Sequence, residues 1–270
     1  MNDESKDFNY TVGIFDVICR AIRKRVEEGA RDGKTYGIGV YTDEYCKQEL
    51  MTNVMKSTEE RMQIAKSFEG VDFVFSVDTK DHDKIDALAQ QAYEDYLADK
   101  QKEEQPKRFK LGFVIGSFDM LHLGHLEHID MTKQLCEKVV AVLKTDERIH
   151  KNKNKWPKQS TIERAAVLQM MTQIHDIMYM DVDTTRQDIV NDILEKFPDI
   201  DPKDIVAVFG SDLQEKEEPF IHTDWDNINV VFTPRSKEKM KIVSSTHYGQ
   251  VCDENGGIHA LEEREEANLE

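Results

Sequence analysis

The sequence predicts an α/β fold: two tandem Rossmann-like domains, each a doubly wound parallel sheet. Two observations support this. Short apolar runs alternate along the chain with segments whose apolar residues recur at helical spacing. A series of residues also recurs in order at a constant offset of 103 positions, as between positions 13 and 116, so one α/β unit follows another. In such sheets ligands bind at the carboxyl ends of the strands, and we expect the site there.

In the second half of the chain, apolar runs predict strands and the amphipathic segments between them predict helices. The predicted strands are Leu111–Ile115, Val139–Leu143, Ile177–Met180, Ile205–Phe209 and Asn229–Thr233. The predicted helices are Leu126–Leu135, Thr161–Met171 and Gln187–Phe197. Alternation of strands and helices of this kind favours a parallel sheet.

The first half repeats the second without a gap, but only in part. The shared residues are Gly13, Phe15, Asp16, Thr42, Asp43, Glu44, Ser57, Thr58, Glu60, Arg61 and Asp78, matched by Gly116, Phe118, Asp119, Thr145, Asp146, Glu147, Ser160, Thr161, Glu163, Arg164 and Asp181. In both copies the Ser-x-x-Glu pattern predicts a capping box at a helix start. The two copies differ where Cys19, Ala21 and Ile22 stand opposite His122, Gly124 and His125. The first copy therefore keeps the scaffold and lacks the histidines.

These boundaries divide the chain into a degenerate first domain over 1–98, a linker over 99–109, a second domain over 110–250 and an acidic tail over 251–270. The linker is a charged stretch closed by Pro106. The tail contains the acidic run 261–266, which we expect to be a solvated helix or disordered. We expect the two copies to associate as an internal pseudo-dimer, and whether two chains also form a homodimer stays open.

Composition limits the class of partner. The chain has 270 residues and a formal net charge of −17, which disfavours nucleic acids as partners. No apolar run approaches the length of a membrane span, and the N-terminus has no signal character. The four cysteines are scattered without metal-ligand spacing, so no protein metal site is expected. We expect a cytoplasmic protein with reduced thiols that binds small molecules.

The strongest candidate site lies where the run Leu111–Ile115 passes into a helix. This segment reads Gly-Ser-Phe-Asp-Met-Leu-His-Leu-Gly-His over 116–125. A helix start attracts anions because its N–H groups and dipole favour negative charge. His122 and His125 would donate to phosphate oxygens, and Gly124 would let the backbone approach closely. Further along stand three lysines at 151, 153 and 155 and the hydroxyl run 244–246.

In this order the motifs resemble those of the H-x-G-H nucleotidylyltransferases, and among them the cytidylyltransferases that act on glycerol 3-phosphate or ethanolamine phosphate. The matching segments are Gly116–His125, Thr145–Glu147, the lysine-rich loop 151–155, Ile162–Arg164, Gly210–Asp212, Pro234–Arg235 and Ser244–Thr246. The resemblance covers about residues 110–247. It departs from the family pattern at Gly249, where the family's last motif ends in arginine.

The resemblance implies transfer of CMP from CTP to a small phosphorylated alcohol, such as glycerol 3-phosphate, phosphoethanolamine or phosphocholine, with release of pyrophosphate. The implied catalytic residues are His122, His125, Lys153 and Arg235. The implied nucleotide-binding residues are Gly116, Ser117, Phe118, Asp119, Gly124, Gly210, Asp212, Ser244, Ser245 and Thr246. Lys151, Lys155 and Arg164 are expected to bind the acceptor. Mg²⁺ is the implied cofactor because it bridges phosphates and needs few protein ligands.

Two alternatives stay open. The same chemistry with ATP would make the protein an adenylyltransferase of the pantetheine-phosphate or FAD-synthesis type. A nucleotide-binding regulator without turnover is the second alternative, and the missing arginine and the degenerate first copy favour it. In every case the first copy is expected to carry no transferase chemistry.

Overall fold

The chain divides into two compact units, each built on a parallel sheet. Unit 1 comprises Met1–Glu104 and Tyr248–Glu270, and unit 2 comprises Gln105–His247. The structure is a computed structural model and describes residues 7–100, 106–211, 228–233, 248, 252–254 and 257–269. Strands and helices alternate in both units, which confirms the predicted fold class.

Unit 1 has a three-stranded parallel sheet in the order β1-β2-β3. Its elements from residue 7 to residue 100 are β1 (Phe8–Gly13), α1 (Arg20–Gly29), β2 (Thr35–Tyr41), α2 (Asp43–Gln48), α3 (Thr58–Lys66), β3 (Phe73–Val77) and α4 (His82–Asp99). The inner stripe of α4, with Ile85 and Ala89, packs on the aromatic face of the sheet formed by Phe8, Phe73 and Phe75. Burial of this apolar stripe holds α4 on the sheet, as tertiary packing does for most helices.

Unit 2 has a five-stranded parallel sheet in the order β6-β5-β4-β7-β8. Its elements are β4 (Phe109–Gly116), α5 (Leu123–Leu135), β5 (Cys136–Lys144), α6 (Asp146–Lys153), α7 (Thr161–Gln169), β6 (Asp176–Met180), α8 (Arg186–Lys196), β7 (Ile205–Gly210) and β8 (Asn229–Thr233). The chain leaves β4 towards β5 and later returns to its other side as β7. The strand order therefore reverses at β4, the position where such sheets bind ligands.

Helices cover both faces of the unit 2 sheet. On one face Leu111 and Phe113 pack against Ile189 and Ile193 of α8. On the other face a Cβ at Gly112 would lie 2.8 Å from Thr132 of α5, so α5 lies directly on the strand there. Alternate residues of β4 thus face opposite helical layers, which is what doubly wound means.

The repeat seen in the sequence recurs in the elements. Helix α3 begins at Thr58 and α7 at Thr161, and strand β3 begins at Phe73 and β6 at Asp176. Both differences are 103 positions. At α7 both halves of the predicted capping box form between Ser160 and Glu163. At α3 the Ser57 hydroxyl accepts from the Glu60 N–H, and the Glu60 carboxylate accepts from the Tyr248 hydroxyl at 2.6 Å.

The acidic C-terminal segment is a helix, α9 (Gly257–Ala267), and it belongs to unit 1. Leu261 and Glu265 are buried, with 2% and 1% of their surface exposed, whereas Glu263 and Glu266 are exposed. The expectation of a solvated or disordered segment is therefore wrong for the inner face of this helix. The sequence did not indicate a buried face because that face includes a carboxylate, Glu265, within an acidic run.

Two further observations concern the cysteines and the apolar character of the described helices. All four cysteines are free thiols and buried. None of the described helices combines the length and apolar character that a membrane crossing requires.

Candidate functional site

Two histidines of unit 2 form a stacked pair at the start of α5. His122 is the N-cap residue, in extended conformation, and His125 lies in the first turn. Their ring centroids are 3.7 Å apart with an interplanar angle of 23°. Only 3% of His122 and 9% of His125 is exposed. The pair thus lies at a helix N-terminus, where the helix dipole favours anions, and imidazole nitrogens are able to donate hydrogen bonds.

The loop between β4 and α5 holds this pair in place. Phe118 and Met120 adopt positive φ angles of 49° and 51°, so the loop turns sharply after the strand. The buried Phe118 ring lies 5.3 Å from the His125 ring, centroid to centroid. A Cβ at Gly116 would lie 2.9 Å from the Phe118 ring. Gly116 and Phe118, both expected to bind nucleotide, therefore shape the loop that carries the histidines. Ser117 belongs to the same loop, and Gly124 to the first turn of α5.

Asp119 fastens this loop to the segment before α7. Its carboxylate accepts N–H bonds from Lys158 and Gln159 at 3.0 to 3.1 Å, and the Gln159 side-chain oxygen accepts from the Met120 N–H at 3.2 Å. Burial raises the pKa of Asp119, while the two N–H bonds and the charges of Arg164 and Lys155 oppose the rise. Asp119 was expected among the nucleotide-binding residues, and its observed contacts are with the backbone.

Arg164, which is expected to bind the acceptor, is a buried side chain held by hydrogen bonds within the protein. It has no exposed surface. Its guanidinium donates to the carbonyls of residues 117, 144 and 159, to the Thr161 hydroxyl, and to the Asp146 carboxylate at 2.6 Å. These contacts use all five N–H donors, so none is available to a ligand.

The Thr-Asp-Glu motif serves the same framework. The Thr145 hydroxyl caps α6 by accepting from the Arg148 N–H. Burial tends to raise the pKa of Asp146, but hydrogen bonds from Arg164 and Thr161 outweigh it and hold the pKa below its usual value. Both residues therefore make contacts that support the protein framework.

The three lysines do not share one loop, which corrects the expectation of a lysine loop over 151–155. Lys151 and Lys153 lie in the last turn of α6, and Asn154 ends the helix in left-handed conformation. Positive charges at a helix C-terminus interact favourably with the helix dipole, so Lys151 and Lys153 also stabilise α6. Only Lys155 lies beyond the helix, near enough to Asp119 to influence its pKa.

The site reaches across to β7 and β8 through a residue that the sequence reasoning missed. A ring nitrogen of His128 lies 3.0 Å from the Thr233 hydroxyl, which donates to the Phe209 carbonyl at 3.2 Å. Gly210 ends β7 beside this bridge. The available signal was spacing, because His128 follows His125 by three positions on one helix face. The expected residues Asp212, Arg235, Ser244, Ser245 and Thr246 lie outside the described residues.

Unit 1 reproduces the framework of the site without its imidazoles. Arg61 donates to the carbonyls of residues 14, 41 and 56, to Thr58 and to Asp43, the five partners of Arg164 shifted by 103 positions. Phe15 has a positive φ of 61°, as Phe118 does. Cys19 takes the N-cap position of His122. Burial raises the pKa of the Cys19 thiol, so this residue is a small buried side chain and not an activated nucleophile.

A doubly wound sheet with an H-x-G-H pair at the helix after its first strand defines unit 2 as a Rossmann-like domain of the nucleotidyltransferase type. The chain belongs to the cytidylyltransferase-like family, whose sequence profile matches residues 113–248, about half of the chain.

Individual relatives match over shorter stretches. The bifunctional protein HldE of Caulobacter vibrioides is 32% identical over 108 residues, which is 38% of this chain and 22% of that protein. FAD synthase of Pyrococcus abyssi is 32% identical over 65 residues, 24% of this chain and 44% of that protein. The chain thus spans less than half the length of these relatives. A lipopolysaccharide core biosynthesis protein of Thermoplasma volcanium matches in structure, with a TM-score of 0.34 and 19% identity over 48% of this chain and 98% of that one.

Proposed function

We propose that unit 2 transfers a nucleoside monophosphate from a nucleoside triphosphate to the phosphate of a small phosphorylated alcohol. The observation that carries this proposal is the stacked pair of His122 and His125 at the N-terminus of α5, where β4 ends and the strand order reverses. Fixed donors at a helix start suit a polyphosphate better than a neutral ligand. Membership of the cytidylyltransferase-like family supports the same chemistry.

In the proposed reaction a phosphate oxygen of the acceptor attacks the α-phosphorus of the donor. The bond from that phosphorus to the bridging oxygen of the β-phosphate breaks, and pyrophosphate leaves with the electron pair. No covalent enzyme intermediate is needed, so the protein's task is to align two anions and to neutralise charge on the leaving group. His122 and His125 are proposed to donate to the triphosphate, and a lysine of the group Lys151, Lys153 and Lys155 to screen the two anions from each other.

CTP is the first candidate donor, because the motifs of the chain resemble those of cytidylyltransferases. ATP is the second, because FAD synthase is a relative and FAD carries an adenylate. Three residues of the motifs do not choose between CTP and ATP, because Asp119, Asp146 and Arg164 bind the backbone or one another. Gly210 at the end of β7 and the residues that follow it are therefore proposed to discriminate the base.

Mg²⁺ is proposed as the cofactor, held by phosphate oxygens of the donor. Within the described parts of the chain, no group of three His, Cys, Asp or Glu side chains is placed to hold a metal ion. The carboxylate of Asp119, within the segment 116–125, accepts hydrogen bonds from the N–H groups of Lys158 and Gln159. The ion would supply charge neutralisation, and the protein residues would supply alignment.

The test is a pyrophosphate-release assay with Mg²⁺, comparing CTP with ATP against glycerol 3-phosphate, phosphoethanolamine and phosphocholine. Release with one nucleotide and one acceptor, lost in His125→Ala, is the expected result. Detection of the nucleotide–alcohol product by mass spectrometry excludes simple hydrolysis. Nucleotide binding without release across the panel would favour the regulator, and absence of nucleotide binding would overturn the proposal.

A further inference from the structure

The C-terminal helix of unit 1 places a carboxylate in the loop after β1. Glu265 of α9 accepts three consecutive main-chain N–H bonds, from Phe15 at 2.9 Å, Asp16 at 2.6 Å and Val17 at 3.0 Å. The first bond goes to one carboxylate oxygen and the other two to the second oxygen. Only 1% of Glu265 is exposed. A side chain 248 to 250 positions away in sequence thus fills the loop.

The loop has the geometry of an oxyanion site. Phe15 adopts left-handed conformation, with φ of 61°, and the N–H groups of three successive residues converge on one ligand. Successive N–H groups in such a turn form a concave nest that binds anions, phosphates included. Shifted by 103 positions, the same residues are 118–120 of the histidine-bearing loop in unit 2. The first copy has lost the imidazoles and kept this loop.

Two cations, the buried Lys56 and the partly buried Arg264, lie close to the same point. Arg264 donates to the Asp16 carboxylate at 2.9 Å and lies 3.6 Å from the Glu265 carboxylate. Lys56, 3% exposed, donates its ammonium group to the Asp16 carbonyl. These cations offset part of the cost of burying the Asp16 and Glu265 carboxylates. They would equally attract another anion in place of Glu265.

We propose that unit 1 retains an oxyanion-binding loop at residues 15–17, and that the protein closes it with its own C-terminal helix. Glu265 stands where a phosphate-type oxyanion would bind. A phosphorylated ligand can therefore occupy unit 1 only by displacing Glu265. Every contact in this argument lies within unit 1, so the inference does not depend on the activity of unit 2.

The experiment uses the full chain and inorganic phosphate, with hydrogen exchange read by mass spectrometry in peptides covering 13–22 and 257–269. Glu265→Ala is compared with wild type and with Glu266→Ala, which removes the same charge from an exposed position one residue along the helix. In wild type and Glu266→Ala, phosphate is expected to change neither peptide. In Glu265→Ala, the helix peptide should exchange faster, and phosphate at about ten times its Kd should slow exchange in the loop peptide about tenfold.

The opposite results overturn the inference. Equal phosphate protection of the loop in wild type and Glu265→Ala would show that the carboxylate does not close the site. If phosphate does not slow exchange of the loop amides in Glu265→Ala while β1 to β3 remain protected, the loop binds no oxyanion. Should the alanine variant lose protection throughout the sheet, Glu265→Gln, which keeps the side-chain size, is judged by the same comparison.

Discussion

Replacing Arg164 by methionine should destabilise unit 2 by about 3–5 kcal/mol, because it removes a buried guanidinium that makes five hydrogen bonds. Methionine fills similar space but leaves three main-chain carbonyls and Asp146 without the guanidinium donors. Each buried acceptor without a partner costs about 1–3 kcal/mol, so the estimate is reached even if water or local shifts satisfy some of them. Lysine at this position should recover part of the loss, since it keeps the charge but offers three donors in place of five.

The assay is urea unfolding followed by tryptophan fluorescence. Both tryptophans, at 156 and 225, belong to the sequence range of unit 2. With an m-value of about 2 kcal/mol/M, the midpoint should fall by about 2 M. The matched control is Arg61→Met, which removes the same five bonds within unit 1 and should leave the tryptophan transition within about 0.5 kcal/mol. A shift below about 1 kcal/mol in Arg164→Met, or an equal shift in Arg61→Met, would refute the assignment of Arg164 as the structural centre of unit 2.

Three further outcomes are expected. His125→Ala should lower kcat by about 10²–10³-fold in the pyrophosphate-release assay, as loss of a transition-state donor does, whereas Cys19→Ala should keep most of the activity; equal losses would contradict the division between the copies. Gly116→Ala should cost about 1–3 kcal/mol in thermal unfolding, because its Cβ would lie 2.9 Å from the Phe118 ring, and an unchanged Tm would show that the ring yields freely. Burial and the nearby Asp16 charge raise the pKa of Glu265 to about 7. The N–H bonds of the loop and the charge of Arg264 oppose this rise. The charge of Glu265 in turn contributes to the raised pKa of Cys19. Because the folded state then binds a proton that the unfolded state releases near pH 4.5, this residue's contribution is full below that pH and lost as pH rises through 7, by up to about 3 kcal/mol. The free energy of unfolding of wild type relative to Glu265→Gln should therefore fall from pH 5 to pH 8. Urea unfolding followed by hydrogen exchange of β1 to β3 measures it, and a difference between the two proteins that stays constant with pH would contradict the shifted pKa.

The sequence predicted the strands and helices well because their signals are local. Apolar alternation, cap residues and the strand-to-helix junction at Gly116 each depend on neighbours within a few positions. The helix α5 nevertheless begins at Leu123, earlier than the predicted start at Leu126. Its N-cap residue, His122, is not one of the residue types that mark a helix start in a sequence. The lysine group was misread for a related reason: charged residues give no periodic signal, so the last turn of α6 looked like a loop.

By itself, the sequence determined that the chain is α/β, that it repeats at 103 positions, and that only the second copy carries the two histidines. Those facts follow from composition, spacing and order. Only the tertiary structure decided what the shared residues do: Arg164 and Asp119 hold the backbone, and Glu265 enters the loop of unit 1. The physical reason is that most of their partners are main-chain carbonyl and N–H groups, which nearly every residue possesses. Such groups leave no mark in a sequence, so the partners of Arg164, Asp119 and Glu265 are visible only once the chain has folded.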